Sequence, residues 1–233
     1  MKNVQLTVSE ARQMRTPKIV IKIGGSLLDS ENLVAWLNVI AQHGDGQVII
    51  VPGGAVFADA VREAQQKTKV SDTVAHRLAL LAMDQYGLLM QGLVPSLVTA
   101  SSELEIAECG WQHRGIIWLP SKMALADETI PQNWQVTSDS LSAWLANQLK
   151  VEHLMLVKSK PLDGYKKASE MPTKIPVSQL SKDELLDAYF AQFTQQQAYQ
   201  TWVLNKADDS VFQQGFSDNL LKNLEEKALM VSS

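Results

Sequence analysis

The sequence predicts an α/β protein with a mostly parallel sheet covered by helices on both faces. Short aliphatic runs alternate with helical patterns along most of the 233 residues, which is how such sheets are written. Twice, a strand-like run ends in Gly-Gly and passes into a helix, at "KIVIKIGGSLLD" (Lys18–Asp29) and "VIIVPGGAVF" (Val48–Phe57). A composition of 45% apolar and 20% charged residues gives enough apolar chain for a substantial core.

The first strand is Ile19 to Ile23, a β-branched run between Pro17 and Gly24. Asp29 or Ser30 caps a helix reaching about His43, with Leu33, Trp36, Leu37 and Ile40 on one face. "GDGQVIIVPGG" reads as turn, strand and second glycine loop, and residues 55–66 as the helix that the loop opens. The longest helical pattern covers 71–91, with Ser71 or Asp72 as its N-cap. Its apolar residues fill more than one stripe, so it is expected to pack on two sides, the second against another copy in a homodimer. "GLVPSLVTA" and "GIIWLPS" read as strands, "VTSDSLSAWLANQLK" as a capped helix and "VEHLMLVKS" as the next strand. "KPLDGYKKASEMPTK" reads as a loop, "SKDELLDAYFAQF" as a helix, "QTWVLN" as a strand, "ADDSVFQQGFSDNLLKNL" as a helix and "KALMVS" as a last strand.

A net charge of −4 provides no basic face for nucleic acid or an anionic membrane. Cys109 is the only cysteine, so no intrachain disulfide forms, and a cytoplasmic protein is expected. There is no run of 18 apolar residues. Residues 1–17 have no apolar centre of signal-peptide type and read as a loose leader before a single domain at 18–233.

The glycine loops carry the chemistry. Gly24 and Gly25, and Gly53 and Gly54, let the backbone approach a ligand closely. The helices beyond offer unpaired N–H groups to an anion. On neighbouring strands the two loops would share the carboxyl edge of the sheet, where ligands collect in open α/β folds. Lys22 stands two residues before Gly24, with Ser26 just after. An ammonium there suits phosphate oxygens and charge developing in phosphoryl transfer; the alternative is a snorkelling edge lysine. Neither a Walker loop nor G-x-G-x-x-G is present. On spacing alone Asp139 reads as an N-cap beside Thr137 and Ser138, though a carboxylate near Lys22 could hold its ammonium. Lys158 and Lys160, at the end of a strand, suit a nucleotide's phosphates or solvent equally, and Asp163-Gly164 marks a turn. The four histidines show no metal-ligand spacing, and no residue is read as a metal ligand.

Together, "KIGGSL" (22–27), "VPGG" (51–54), "TSDSLSAWLA" (137–146) and, more loosely, "KSKPLDGY" (158–165) resemble the amino acid kinase family over nearly the whole chain from Lys18. The resemblance implies a three-layer α/β/α sandwich with about eight central strands. It also implies transfer of a phosphoryl group from ATP, with Mg²⁺, to a carboxylate, carbamate or phosphate. Within the family, "VPGGAVFADAVREAQ", "SDTVAHRLALLAMDQYGLLM" and "WQVTSDSLSAW" look most like a small branch. That branch makes a diphosphate from (5-(aminomethyl)furan-3-yl)methyl phosphate in methanofuran synthesis, and has methylotroph relatives. By this resemblance Lys22 contacts the transferred group, and Asp139 orients it. Gly24, Gly25 and Ser26 wrap the ATP phosphates, with Lys158, Lys160, Asp163 and Gly164 facing the nucleotide. Gly53, Gly54 and Ser138 hold the phosphorylated acceptor, flanked by Arg62 and His76; a solvated Arg62 and a packed His76 are the alternatives. The N-terminal part would bind acceptor and the C-terminal part nucleotide.

Many relatives carry a second catalytic lysine in the C-terminal half, for which Lys174 and Lys206 are the candidates. "GGAVFAD" lacks the histidine that isopentenyl phosphate kinases place after this loop, which argues against that substrate. The sequence thus leaves three readings: a kinase of a phosphate monoester, a kinase of a carboxylate, and a non-catalytic metabolite-binding module on the kinase fold.

Overall fold

The computed structural model describes residues 18–166, 172–195, 197–213, 215 and 219–232. The leader at 1–17 and residues 167–171 of the lysine-rich loop lie outside the described residues.

Eight strands form one sheet: β1 (Ile19–Ile23), β2 (Val48–Pro52), β3 (Val98–Ala100), β4 (Ile116–Trp118), β5 (His153–Lys158), β6 (Thr173–Pro176), β7 (Gln200–Asn205) and β8 (Leu229–Ser232). Their order is β3-β4-β2-β1-β5-β7-β8-β6. β1 pairs in parallel with both β2 and β5, and all five of its residues are buried. A strand covered on both faces has no polar side to show, hence its continuous aliphatic text. β2, β4 and β3 lie to one side of β1, and β5 onward to the other. The reversal occurs at the centre of the sheet, where the carboxyl edge forms a crevice. β7 and β8 are antiparallel, and β6 follows β8 in parallel.

Nine α-helices flank the strands: α1 (Glu31–His43), α2 (Ala55–Thr68), α3 (Asp72–Leu93), α4 (Glu103–Trp111), α5 (Ser121–Ala126), α6 (Ser138–Leu149), α7 (Val177–Lys182), α8 (Phe190–Phe193) and α9 (Asn219–Lys227) among the described residues. The two-residue period of the strands sorts the core. Ile19, Ile21 and Ile23 pack with Met155, Val157 and the α1 residues Trp36, Leu37 and Ile40. Val20 packs on the opposite face with Leu154, Leu156 and the α6 residues Leu141 and Leu145. Lys22 shares the parity of Val20 and therefore lies on the α6 face. Among the described residues, no helix is long and apolar enough to cross a membrane.

The N-terminal elements follow the sequence reading. Ser30 caps α1 by accepting the N–H of Asn32, and Ser71 caps α3 by accepting that of Val74. Two helices went unread. α4 begins where Ser102 Oγ accepts the Glu105 N–H, while the Glu105 carboxylate takes the N–H and hydroxyl of Ser101 at 2.7 and 3.0 Å. That capping pattern was present in the text "SSELE". α5 is a short helix begun after Pro120.

The expected helix over "SKDELLDAYFAQF" (181–193) is not continuous. α7 starts earlier and ends at Lys182, Glu184 takes a left-handed φ of 56°, and only Phe190–Phe193 returns to helix. The break lets Asp187 serve another element. Its Oδ2 accepts from the Thr137 N–H and hydroxyl at 3.2 and 2.8 Å and from the Ser140 N–H at 2.9 Å, and its Oδ1 accepts from the Ser140 hydroxyl. Thr137, the N-cap residue of α6, makes no capping bond with its own side chain. The cap comes instead from a carboxylate about fifty residues later in the sequence. The region read as a loop through Lys174 ends in edge strand β6, and the predicted helix from Ala207 becomes a 3-10 turn at Asp209–Phe212 followed by α9. Residues 214 and 216–218 of that stretch lie outside the described residues.

Asp187→Ala is expected to lower the unfolding free energy by about 1–3 kcal/mol, since it removes the cap and strands buried donors. Urea titration followed by circular dichroism checks this, with a shifted midpoint and an unchanged slope.

Candidate active site

Lys22 is on β1 and Lys158 ends β5, the neighbouring strand. The register pairs Lys22 with Leu156, so Lys158, two residues on, projects from the same face. α6 lies over that face and begins at the carboxyl edge. Asp139, in its first turn, is buried. Its Oδ1 lies 2.9 Å from Lys22 Nζ and its Oδ2 2.6 Å from Lys158 Nζ. One carboxylate therefore holds two ammonium groups, from two strands, almost out of solvent.

Burial would raise the Asp139 carboxyl, but the charges of Lys158 and Lys22 outweigh it and hold the group at about 2. Burial pushes the Lys158 ammonium down to about 8, against the pull of Asp139, with the charge of Lys22 adding to the depression. While both lysines are protonated, the triad carries an excess positive charge that no group within it cancels. An anion is the natural complement.

Both glycine loops meet at this centre. A Cβ at Gly24 would stand 3.3 Å from Lys22 Nζ; at Gly25 it would fall 2.4 Å from the Ala55 nitrogen; at Gly53, 2.6 Å from the Gly25 nitrogen. The loops are thus in backbone contact, and Gly25 and Gly53 are fixed by close approach. Gly53 N–H donates to Ile23 O at 2.9 Å, tying the second loop to the end of β1. Ala55, first residue of α2, takes φ 47°, a strained value for alanine at the point of contact between the loops. Ser159 Oγ and Ser26 Oγ are 2.8 Å apart, linking the first loop to the chain after β5.

Beside the loops is a cavity of about 430 Å³. Gly25, Ser26, Gly54 and Ser138 line it near the triad; Arg62, His76 and Trp134 also line it. Arg62 is exposed, pairs with Asp59 at 2.8 Å and lies 4.6 Å over the Trp134 ring. Trp134 donates its indole N–H to Gln65 Oε1 at 2.6 Å. His76 is buried, and Nδ1 is 3.3 Å from the carbonyl oxygen of Asn133.

The structure therefore brings Lys22, Asp139, Lys158, Gly24, Gly25, Ser26, Gly53, Gly54, Ser138, Arg62 and His76 to one edge of the sheet. Lys160 is placed differently: it is exposed and its ammonium bonds the carbonyl of Asp183 at 3.2 Å. Asp163 and Gly164 form an exposed turn in which a Cβ on Gly164 would meet nothing within 4 Å, so glycine is not sterically required there. The N-cap alternative for Asp139 is displaced, since Asp187 caps α6.

The search for a second lysine needs correction. Lys174 is exposed on edge strand β6, and Lys206 follows β7, with its backbone bonded to Lys158 O and Trp36 Nε1. The ammonium that joins Lys22 at Asp139 belongs to Lys158. Its position two residues beyond the partner of Lys22 becomes visible only once β5 is known to adjoin β1. Trp134 had no sequence signal as a cavity residue beyond its place in "WQVTSDSLSAW", and Asn133, Gln65 and Asp187, which support the site from outside the cavity lining, had none.

A sequence profile described as the amino acid kinase family matches residues 17–200. Over 143 residues the chain is 30% identical to the [5-(aminomethyl)furan-3-yl]methyl phosphate kinase of Methanocaldococcus jannaschii, a match spanning 59% of this chain and 63% of that protein. The fold is similar to uridylate kinase from Archaeoglobus fulgidus (TM-score 0.61, 17% identity, 92% of this chain and 100% of that one). It is similar also to UMP kinase from Ureaplasma parvum (TM-score 0.63, 17% identity, 94% and 100%).

Gly25→Ala is expected to force the two loops apart, costing about 1–3 kcal/mol of stability and weakening binding of inorganic triphosphate. Gly164→Ala is the control, expected within about 0.5 kcal/mol of the parent. Thermal unfolding and calorimetric titration of both variants decide the point.

Proposed function

As this chain belongs to the amino acid kinase family, we propose that it transfers the γ-phosphoryl group of ATP to a small phosphate monoester. The observation that carries this reading is the carboxylate of Asp139 shared by Lys22 and Lys158, at the meeting point of two glycine loops. An oxygen of the acceptor phosphate attacks the γ-phosphorus, the bond to the β,γ-bridging oxygen breaks, and ADP and a diphosphate result. The acceptor oxygen is already anionic, so no general base is demanded. The chain's work is to position two polyanions and offset their charge. Lys22 and Lys158 lie against the transferring group, Asp139 keeps both ammoniums aimed, and the N–H groups of the loops receive phosphate oxygens. Gly24, Gly25 and Ser26 serve the nucleotide, while Gly53, Gly54, Ser138, Arg62 and His76 serve the acceptor.

Among the described residues no three His, Cys, Asp or Glu side chains converge as a ligand cage, and Asp139 is engaged by two cations. The fit to Mg²⁺ is therefore through phosphate oxygens and water, its habit at such sites; when bound it would neutralise triphosphate charge. The alternative of a non-catalytic module is motivated by a missing C-terminal lysine and an altered nucleotide loop; against the first ground, Lys158 offers a second cation at Asp139. The relative's printed substrate and the cavity beside the loops favour an acceptor like (5-(aminomethyl)furan-3-yl)methyl phosphate, in the synthesis of a methanofuran-type one-carbon carrier.

The working assembly under this reading is a homodimer. α3 exposes Val74, Leu78, Leu81 and Leu88 along its length, spaced as one helical stripe. From Val74 to Leu88 the apolar strip is roughly 21 Å long, and a two-fold axis can set it against its own copy.

Lys22→Ala should stay folded, because Lys158 still pairs with Asp139, and should lose about two to three orders of magnitude in transfer rate. The rate of the parent should fall above pH about 8, where the Lys158 ammonium deprotonates. In Lys158→Arg that limb should move beyond the accessible range. Coupled ADP release across pH checks both. Leu81→Glu should convert the dimer to monomer by sedimentation velocity at micromolar concentration, and a parent monomer there would refute the interface.

A further inference from the structure

We propose that His76 selects acceptors bearing a hydrogen-bond donor, an ammonium or hydroxyl, at the end remote from the phosphate, by presenting an unprotonated Nε2 to the cavity; this rests on the kinase reading above. The carbonyl oxygen of Asn133 lies 3.3 Å from His76 Nδ1. A carbonyl can only accept, so Nδ1 carries the proton and a neutral ring keeps its lone pair on Nε2. The carbonyl is held in place by its own segment. Asn133 N–H donates to Pro131 O at 3.0 Å and its Oδ1 accepts from Gln135 N–H at 2.9 Å. The next residue, Trp134, is anchored to Gln65 on α2. Further back, Asp127 accepts from Trp144 Nε1 at 2.8 Å. Burial pushes the imidazole below its ordinary value, outweighing the carbonyl that pulls it up, so the ring is neutral near pH 7.

Nε2 has no hydrogen-bond partner among the described residues, yet it is not one of the buried polar atoms left unsatisfied there. His76 lines the cavity, and under this proposal its unpartnered nitrogen faces that space. The end of the cavity matters as well. Arg62, stacked on Trp134, stands seven residues along α2 from Ala55, roughly 10 Å from the glycine loops. His76 bonds the carbonyl of Asn133, the residue before Trp134, and so stands beside the Arg62–Trp134 pair; an acceptor with its phosphate at the loops would bring its far end there. A lone pair there accepts N–H or O–H, so the substrate class is a phosphate monoester with a distal hydrogen-bond donor.

Two measurements test this. In histidine-¹⁵N-labelled protein at pH 7, with signals assigned through the backbone of the parent, His76 should show a protonated Nδ1 and a bare Nε2. A charged ring or a bare Nδ1 overturns the proposal. In transfer assays with phosphate monoesters of equal size ending in aminomethyl, hydroxymethyl or methyl, kcat/KM should favour the first two by about ten- to a hundredfold. That ratio should collapse toward one in His76→Phe. Turnover without selectivity, or selectivity that survives the substitution, overturns the role of His76 alone; no turnover with any ester overturns the kinase reading with it.

Discussion

One carboxylate shared between two ammonium groups governs the architecture around the site. A buried ion pair by itself repays little of its desolvation, and a third charge left over makes the balance worse. The fold nonetheless places Lys22 and Lys158 on adjacent strands, facing the same side, beneath the first turn of α6. Such a centre persists because the surrounding structure fixes it. Under the proposed function, phosphoryl groups arriving at this edge would complete its electrostatic arrangement.

The rest of the crevice follows from holding that centre in register. Asp139 must stay over the two lysines, so α6 is pinned by Asp187 rather than by its own N-cap residue. The Asp187 carboxylate also pulls the Lys158 ammonium upward electrostatically. The loops must come close enough for their N–H groups to converge, which leaves room only for glycine at Gly25 and Gly53 and imposes a left-handed alanine at Ala55. Strain at Ala55 is borne by the same contact that brings the two glycine loops together.

Local signals wrote the first half of the fold legibly. Continuous aliphatic runs marked β1 and β2, Ser30 and Ser71 marked the starts of α1 and α3, and the paired glycines marked both loops. The eight-stranded α/β architecture and the placing of Lys22 beside Asp139 agree with the sequence reading. Its failures share a cause: the deciding contact joins residues far apart in sequence. "SKDELLDAYFAQF" has a helical pattern, but Asp187 is drawn away to α6. Lys158 looked like one of two solvated or phosphate-facing lysines until strand order set it against Asp139. Asp163-Gly164 read as a turn and is one, with open space around Gly164. The unread helix at Glu103 differs, since its capping residues were adjacent in the text.

The most direct test of the shared-carboxylate centre is a side-chain NMR titration of ¹³C-lysine-labelled protein. The account predicts one lysine, absent from the spectrum of Lys158→Arg, titrating near 8 in the free protein and moving upward when ADP is added, as phosphate charge favours its protonated form. A Lys158 that titrates in the ordinary lysine range and ignores ADP would contradict it.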